Sequence, residues 1–363
     1  MPEQMAFRKV TGEPVTHEVS YGAEGPAGDY LRGRIVRFDD GIELLEHRPV
    51  NGPQRREAYE RLDNEILAGR QLHELADWSY PTQVAKLYGD EPNSADPFAL
   101  FEPYQGSPLR DVGLYMGDHE FDAFLTGLLT GLCWIAAAGI AHQMISQDTV
   151  LWDSERGVLI TDFSRSTIFG VRRTTLDGYD GWVPKELRQG RCAGTVGPRD
   201  DIWAAGQLIY FVGNQGEEPQ DRSQLADLDA MFNGLFDPIF GPVENRPTAR
   251  ELLEDGLGRR VNVPSEARRS ERLKAGRESF LEVRTRKHAG AVTPPDFNAD
   301  LDWMGVPADR PAAPANGDHP DAVGTAAADG ASVCPPAGTD GDAADTTAGA
   351  GGTTRFKRRR GAS

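Results

Sequence analysis

The stretch GIAHQMISQDTVLWDSERGVLITDFS, residues 139–164, decides how this chain is read. His142 opens it, and Met144 stands two residues further on. Thr149 falls five residues beyond Met144, and Asp162-Phe163-Ser164 begins thirteen beyond Thr149. Between these fixed points lie the apolar residues Ile145, Val150 and Leu151 and the strand-like run GVLIT at 157–161, which have the character of packing residues.

The surrounding composition is that of a globular protein. The chain has 363 residues, a net charge of -17 and an ordinary apolar content. Strong acidity argues against general nucleic-acid or membrane-surface binding and favours solubility. Cys133, Cys192 and Cys334 are odd in number and far apart, which excludes a disulfide scaffold and a clustered cysteine metal site and suits a reducing cytoplasm. The polar N-terminus carries no apolar signal run. Residues 124–147 hold no Asp, Glu, Lys or Arg and include Gly127 and Gly131 at a Gly-x-x-x-Gly spacing. Gly and Thr dilute this run and it flows into the 139–164 stretch, so a buried core helix is expected rather than a membrane span.

Residues 1–16 read as a loose lead-in. Short strands with glycine punctuation follow: HEVSYG, DYLRGRIVRF, a DDG turn, and IELLEHR. Helical spacing of Tyr59, Leu62, Ile66, Leu67 and Leu72 predicts a helix over 56–75, and PFALFEPY reads as a buried strand. Helices are expected over 117–139, from near Asp201, and over TARELLEDG with Thr248 as N-cap. Strands first and helices later predict an α+β fold: a small β-rich lobe over 17–104 and a larger helical lobe over 105–256. Residues 257–290 hold ten Lys or Arg against four Glu, a basic helical or linker segment. From 291 onward Pro, Ala, Gly, Thr and Asp dominate, with no aromatic between Trp303 and Phe356, so a disordered tail with a basic end at Arg355–Arg360 is expected. Phe297, Leu301, Trp303 and Met304 interrupt that stretch as anchors for a protein partner or for docking back.

In order and spacing these motifs resemble the protein-kinase superfamily over roughly residues 17–255. His142-Gln143-Met144 takes the place of its His-Arg-Asp loop, Thr149 that of its metal-binding Asn, and Asp162-Phe163-Ser164 that of its Asp-Phe-Gly turn. WVPKEL puts Glu186 in the position of the Ala-Pro-Glu glutamate, and RPTARELL puts Arg246 where the family pairs an arginine with it. DIWAAG is similar to the buried helix whose aspartate, here Asp201, holds the loop by hydrogen bonds. YGAEGPAGDY resembles a loosened Gly-rich phosphate loop with Gly22, Gly25 and Gly28. Glu65 matches the helix glutamate that pairs with a strand lysine. FALFEPYQG is similar to the strand and hinge that receive adenine, with Phe101 as gatekeeper and Glu102 opening the hinge.

The resemblance implies a two-lobed fold and, in the family, ATP with magnesium. Yet phosphoryl transfer rests on positioning and charge neutralisation, and the groups that supply these are missing. Counting from the Gly-rich stretch puts the lysine position at Leu45, and no Lys occurs between Lys9 and Lys86. His47 or Arg48 could lean toward the site; otherwise Glu65 is expected at the surface or paired with an Arg of its own lobe. Met144 cannot take up a proton at neutral pH, a role worth about 10²–10⁴-fold in rate. Ser146 replaces the loop lysine, Thr149 is a weaker magnesium ligand than Asn, and Gln143 leaves Thr174 or Thr175 without an arginine receptor. Of the transfer groups only Asp162 remains, as a metal ligand or as a turn cap, while His142, Phe163, Glu186, Asp201 and Arg246, which hold the fold, are retained. Two expectations follow. The first is a cytoplasmic, bacterial-type pseudokinase that binds a protein and a nucleotide, or a protein alone. The second is an active Ser/Thr kinase using displaced groups such as Asp148, Arg48 and Asp162.

Overall fold

Period-2 burial builds the N-terminal region. Met5, Phe7, Val19, Val36, Phe38, Leu44, Phe98 and Leu100 point inward from five of six strands and form one core, with Tyr88 of the sixth packed against it. The strands are β1 (Glu3–Lys9), β2 (Pro14–Pro26), β3 (Leu31–Phe38), β4 (Glu43–Pro49), β5 (Leu87–Glu91) and β6 (Phe98–Phe101). They close into an antiparallel barrel in the order β1-β2-β3-β4-β6-β5. The computed structural model describes residues 3–26, 30–52, 54–76, 80–91, 95–104, 106–112, 116–171, 173, 194–214 and 226–263. Contacts divide the chain into Met1–Asp309 and Arg310–Ser363, and all described residues belong to the first unit. The sequence readings at Gly28, Thr174, Thr175 and Glu186, in most of the basic segment, and in the tail with its 291–310 anchors lie outside the described residues.

The expected lead-in over 1–16 is instead structural. Residues 3–9 form β1, which pairs with β2 from Glu3↔Val19 to Arg8↔Pro14 and with β5 at Arg8↔Asp90 and Lys9↔Gly89. Its alternation is carried only by Met5 and Phe7, too short a signal to read without the partner strands. Gly89 makes the closure possible, since a Cβ there would lie 2.7 Å from the Arg8 carbonyl oxygen and 2.7 Å from the Phe7 ring. A closed barrel leaves no exposed strand edge in this lobe.

Helix α1 (Arg55–Leu75) packs against the barrel through Leu62, Ile66 and Leu72. A second tie is the buried pair in which Arg70 donates from Nε (3.0 Å) and NH2 (2.8 Å) to the two carboxylate oxygens of Asp90 on β5. After β6 the chain turns helical, giving the mixed α+β layout expected, with a β-rich N-terminal region and helices later. Strand β7 (Ser107–Pro108), helix α2 (Asp118–Ala137), β8 (Ile140–Ala141), β9 (Val150–Asp153), β10 (Gly157–Ile160) and β11 (Thr167–Ile168) precede helices α3 (Ile202–Gly213) and α4 (Ala226–Met231). Helix α5 (Ala249–Glu251) continues into a π-turn over Leu252–Gly256. Thr248 caps it in a capping box, its Oγ1 accepting from the Glu251 N–H while Glu251 accepts from the Thr248 N–H.

Helix α2 is long and apolar enough to cross a membrane, and 56% of its most apolar stretch is buried inside the protein. Its Gly-x-x-x-Gly pair has a local use. A Cβ on Gly127 would meet Val158 at 3.1 Å, and one on Gly131 would meet Ile160 at 2.8 Å. The two glycines let α2 lie directly on β10, which continues into Asp162.

Candidate functional site

The loop of residues 139–164 is held from beneath by Asp201 at the start of α3. Its Oδ2 accepts the His142 N–H and its Oδ1 the Gln143 N–H, both at 2.7 Å. Gln143 sits at φ 61°, an uncommon place for a residue with a side chain, and the Asp201 contact fixes it there. His142 is fully buried. Its Nε2–H donates to the Thr161 carbonyl at 2.8 Å, and its Nδ1 accepts the Met144 N–H at 3.2 Å. That pattern fixes a neutral tautomer, and burial takes its pKa down to about 4. The ring packs edge-on against Phe163, centroids 4.8 Å apart.

The chemistry-bearing positions of the loop face inward or elsewhere. Thr149 is buried, and its hydroxyl donates to the Met144 carbonyl at 2.6 Å and accepts the Ser146 N–H at 3.1 Å. Ser146 is buried too and accepts the Asp148 N–H. Asp148 turns to Arg110, at 2.7 Å. Arg48 is bound to the fully buried Glu46 at 2.8 Å and to Asp96, and lies over the Phe98 ring. Arg48 and Asp148, the two displaced groups considered from sequence, are thus both engaged in ion pairs.

Glu65 overturns the expectation of a surface or Arg-paired residue. It is 1% exposed, and its Oε2 lies 2.9 Å from Nδ1 of His47. Leu45, the position obtained by counting, pairs instead with Phe101 on β6. Leu45 and His47 share one face of β4, so the residue that meets α1 is two places further along. β2 also carries a bulge between Tyr21 and Glu24. Gly22 and Gly25 lie within β2 itself, with Gly22 against Ile35. Burial lowers the His47 pKa, but Glu65 with Asp162 and Glu46 more than restores it, so it ends above its ordinary value. His47 and Glu65 thus form a buried hydrogen-bonded pair between β4 and α1. The neighbouring Asn64, which sequence reading missed, donates from Nδ2 to the Ser164 carbonyl at 2.8 Å. Together they hold α1 against the Asp162–Ser164 turn.

Asp162 occupies the left-handed region at φ 60°, which Asp tolerates, and accepts the Ser164 N–H at 3.2 Å as the cap of a 3₁₀ turn over Phe163–Arg165. Burial, then the negative charge of Glu65, lifts its pKa to about 6, with Ser164 and His47 pulling the other way. A carboxyl lifted in the fold contributes stability below its ordinary value of 3.8 that is lost as pH rises through about 6. Asp162→Asn keeps the Ser164 contact and removes that loss. The variant is expected to gain about 1 kcal/mol relative to wild type at pH 8, allowing for screening of a partly exposed group. The gain should be smallest near pH 4. Thermal melts from pH 4 to 8 check this, and a variant less stable than wild type at pH 8 contradicts it.

Phe101 is buried on β6, while the Glu102 side chain turns out to Lys86 and its N–H donates to the Lys86 carbonyl at 3.0 Å. Arg246 is buried, its Nε donating to the Gly241 carbonyl at 3.0 Å; its expected partner Glu186 is not among the described residues. A nucleotide–magnesium complex fits this set poorly. The His47 ring is hydrogen-bonded to Glu65, the Thr149 hydroxyl is directed into its own loop, and Tyr104, beyond β6, turns its ring toward His47.

No family model matches the chain. It is similar to serine/threonine-protein kinase STE20 of Kluyveromyces lactis, 26% identical over 188 residues, covering 44% of this chain and 18% of that protein. The STE20 kinase of Candida glabrata is 22% identical over 256 residues, covering 64% of this chain and 26% of that protein. Serine/threonine-protein kinase grp of Drosophila melanogaster is 30% identical over 146 residues, covering 38% and 28%. The chain therefore spans a minor part of the length of these relatives. They support a relationship to the protein-kinase superfamily at low identity.

Proposed function

We propose that this chain is a pseudokinase-like module: a protein-kinase fold that transfers no phosphoryl group and acts by binding a protein partner in bacterial cytoplasmic signalling. The observation that carries the reading is the loop at Met144. A thioether stands where an acceptor hydroxyl needs a carboxylate, and the adjacent Thr149 hydroxyl closes back on the Met144 carbonyl. The fold around the loop is intact, with Asp201, His142 and the His47–Glu65 pair all engaged. A scaffold kept in order without its transfer groups suits recognition rather than turnover. The 291–310 segment, with Phe297, Leu301, Trp303 and Met304, is the proposed partner-binding stretch outside the fold.

The runner-up is an active Ser/Thr kinase. It draws on one observation: His47 and Glu65 keep a buried hydrogen-bonded pair where the family has Lys and Glu, close to a retained Asp162. Incubation of the full chain with labelled ATP and magnesium or manganese separates the two. Label on the chain or on a generic acceptor should not exceed that of an Asp162→Ala control. Transfer that disappears with that substitution establishes the runner-up instead.

A further inference from the structure

The interior of the cleft already contains a side chain. Tyr104 lies three residues beyond Phe101, on the segment that leaves β6 in the position of the hinge. Its ring turns inward rather than out to solvent. It meets His47 edge-on, with centroids 6.0 Å apart and planes at 89°, and lies 6.3 Å from the Phe101 ring. His47 and Phe101 are themselves 5.1 Å apart, so the three rings form one contiguous cluster. Centroid separations in this range are direct aromatic contact and leave no space for another flat ring between them.

The hydroxyl of Tyr104 identifies how far the side chain penetrates. Its oxygen is shut off from solvent and has no hydrogen-bond partner among the described residues. His47, whose ring Tyr104 meets, is bound at Nδ1 to Glu65, so the Tyr104 ring lies beside the His47–Glu65 pair. A phenol normally keeps its hydroxyl wet or paired, because a dry unpaired one is costly. The ring is therefore held by its aromatic neighbours and by burial, against the preference of its own polar tip. A site shaped for an external ligand would offer that donor to the ligand; here the ring stands where the ligand would lie.

We propose that Tyr104 is an intramolecular plug that fills the base-binding part of the cleft and closes it to adenine nucleotides. The proposal rests on the reading of this cleft as kinase-derived, and it goes beyond the loss of transfer. A chain lacking catalytic groups can still bind nucleotide, whereas a plugged one does not.

The test uses the full chain as wild type, Tyr104→Ala and Tyr104→Phe, with ATP and ADP as probes by calorimetry and thermal shift, each with magnesium and with chelator. The wild type should show no saturable binding at millimolar nucleotide. Tyr104→Ala should bind at least about tenfold more tightly than wild type. Tyr104→Phe should stay closed and melt above wild type, because it removes a buried unpaired hydroxyl while keeping the ring. Wild-type binding equal to that of Tyr104→Ala overturns the proposal, as does a folded Tyr104→Ala with no gain. If Tyr104→Ala does not fold, Tyr104→Leu takes its place: nucleotide binding gained over wild type supports the plug, and a folded variant with no gain overturns it. These outcomes are independent of the transfer assay. Nucleotide binding without transfer removes the plug and leaves the pseudokinase reading; transfer removes the pseudokinase reading.

Discussion

Arg70→Ala is expected to cost about 3–5 kcal/mol of folding stability, the range for removing one partner of a buried ion pair. Arg70 and Asp90 are 5% and 0% exposed, and the guanidinium holds both carboxylate oxygens. Burial already raises the Asp90 pKa, and Arg70 is the main influence that lowers it. Without Arg70 that carboxyl is left charged in a dry site or takes up a proton. Its pKa then rises further, so the variant binds more protons than wild type in the folded state. The deficit should therefore be larger at pH 8 than at pH 5. Arg70→Leu combined with Asp90→Leu should recover much of the loss, since it is the orphaned charge that destabilises and not the absence of the pair. Denaturant melts of Arg70→Leu, Asp90→Leu and the double variant form the cycle. A loss below about 1 kcal/mol in the single variant, within the range of ordinary surface ion pairs, would show that the pair does not tie α1 to β5.

The second large effect lies at the base of the loop. Asp201→Ala should cost about 3 kcal/mol, because two backbone N–H groups, the buried one of His142 and the half-buried one of Gln143, lose a charged acceptor worth about 1.5–3 kcal/mol each, offset in part by the relief of a buried carboxylate. Burial lifts the Asp201 pKa to about 6, against the pull of those same two N–H groups, so the relief is real but incomplete. Gln143 would also be free to leave the left-handed region, which loosens Met144 and the Thr149 contact behind it. Hydrogen exchange at residues 142–149 should rise together with the drop in melting temperature. Unchanged exchange there, with only a global loss, would mean that the loop is held by its own Thr149 and His142 contacts and not by α3.

Much of the architecture was legible in the chain. The 3.6-residue spacing in 56–75, the charge-free run before residue 139 and the Thr248 cap correspond to α1, α2 and α5. All three are local signals, set by neighbours within a turn or two, so sequence alone carries them. Strand β1 was not legible, because five of its seven residues are not buried and its order comes from pairing with β2 and β5.

At the candidate site, residue identity was determined by sequence alone: the resemblance aligns Met144, Ser146 and Thr149 with the family's transfer groups. Which residue meets Glu65 was decided only in three dimensions. The pairing of β4 with β6 leaves Leu45 against Phe101, and packing of α1 brings Glu65 to His47 two residues further on. The inward turn of Tyr104 was equally invisible. A side chain's direction on a connecting segment is set by the surfaces it meets, here two aromatic rings from strands distant in sequence, and no local pattern encodes that choice.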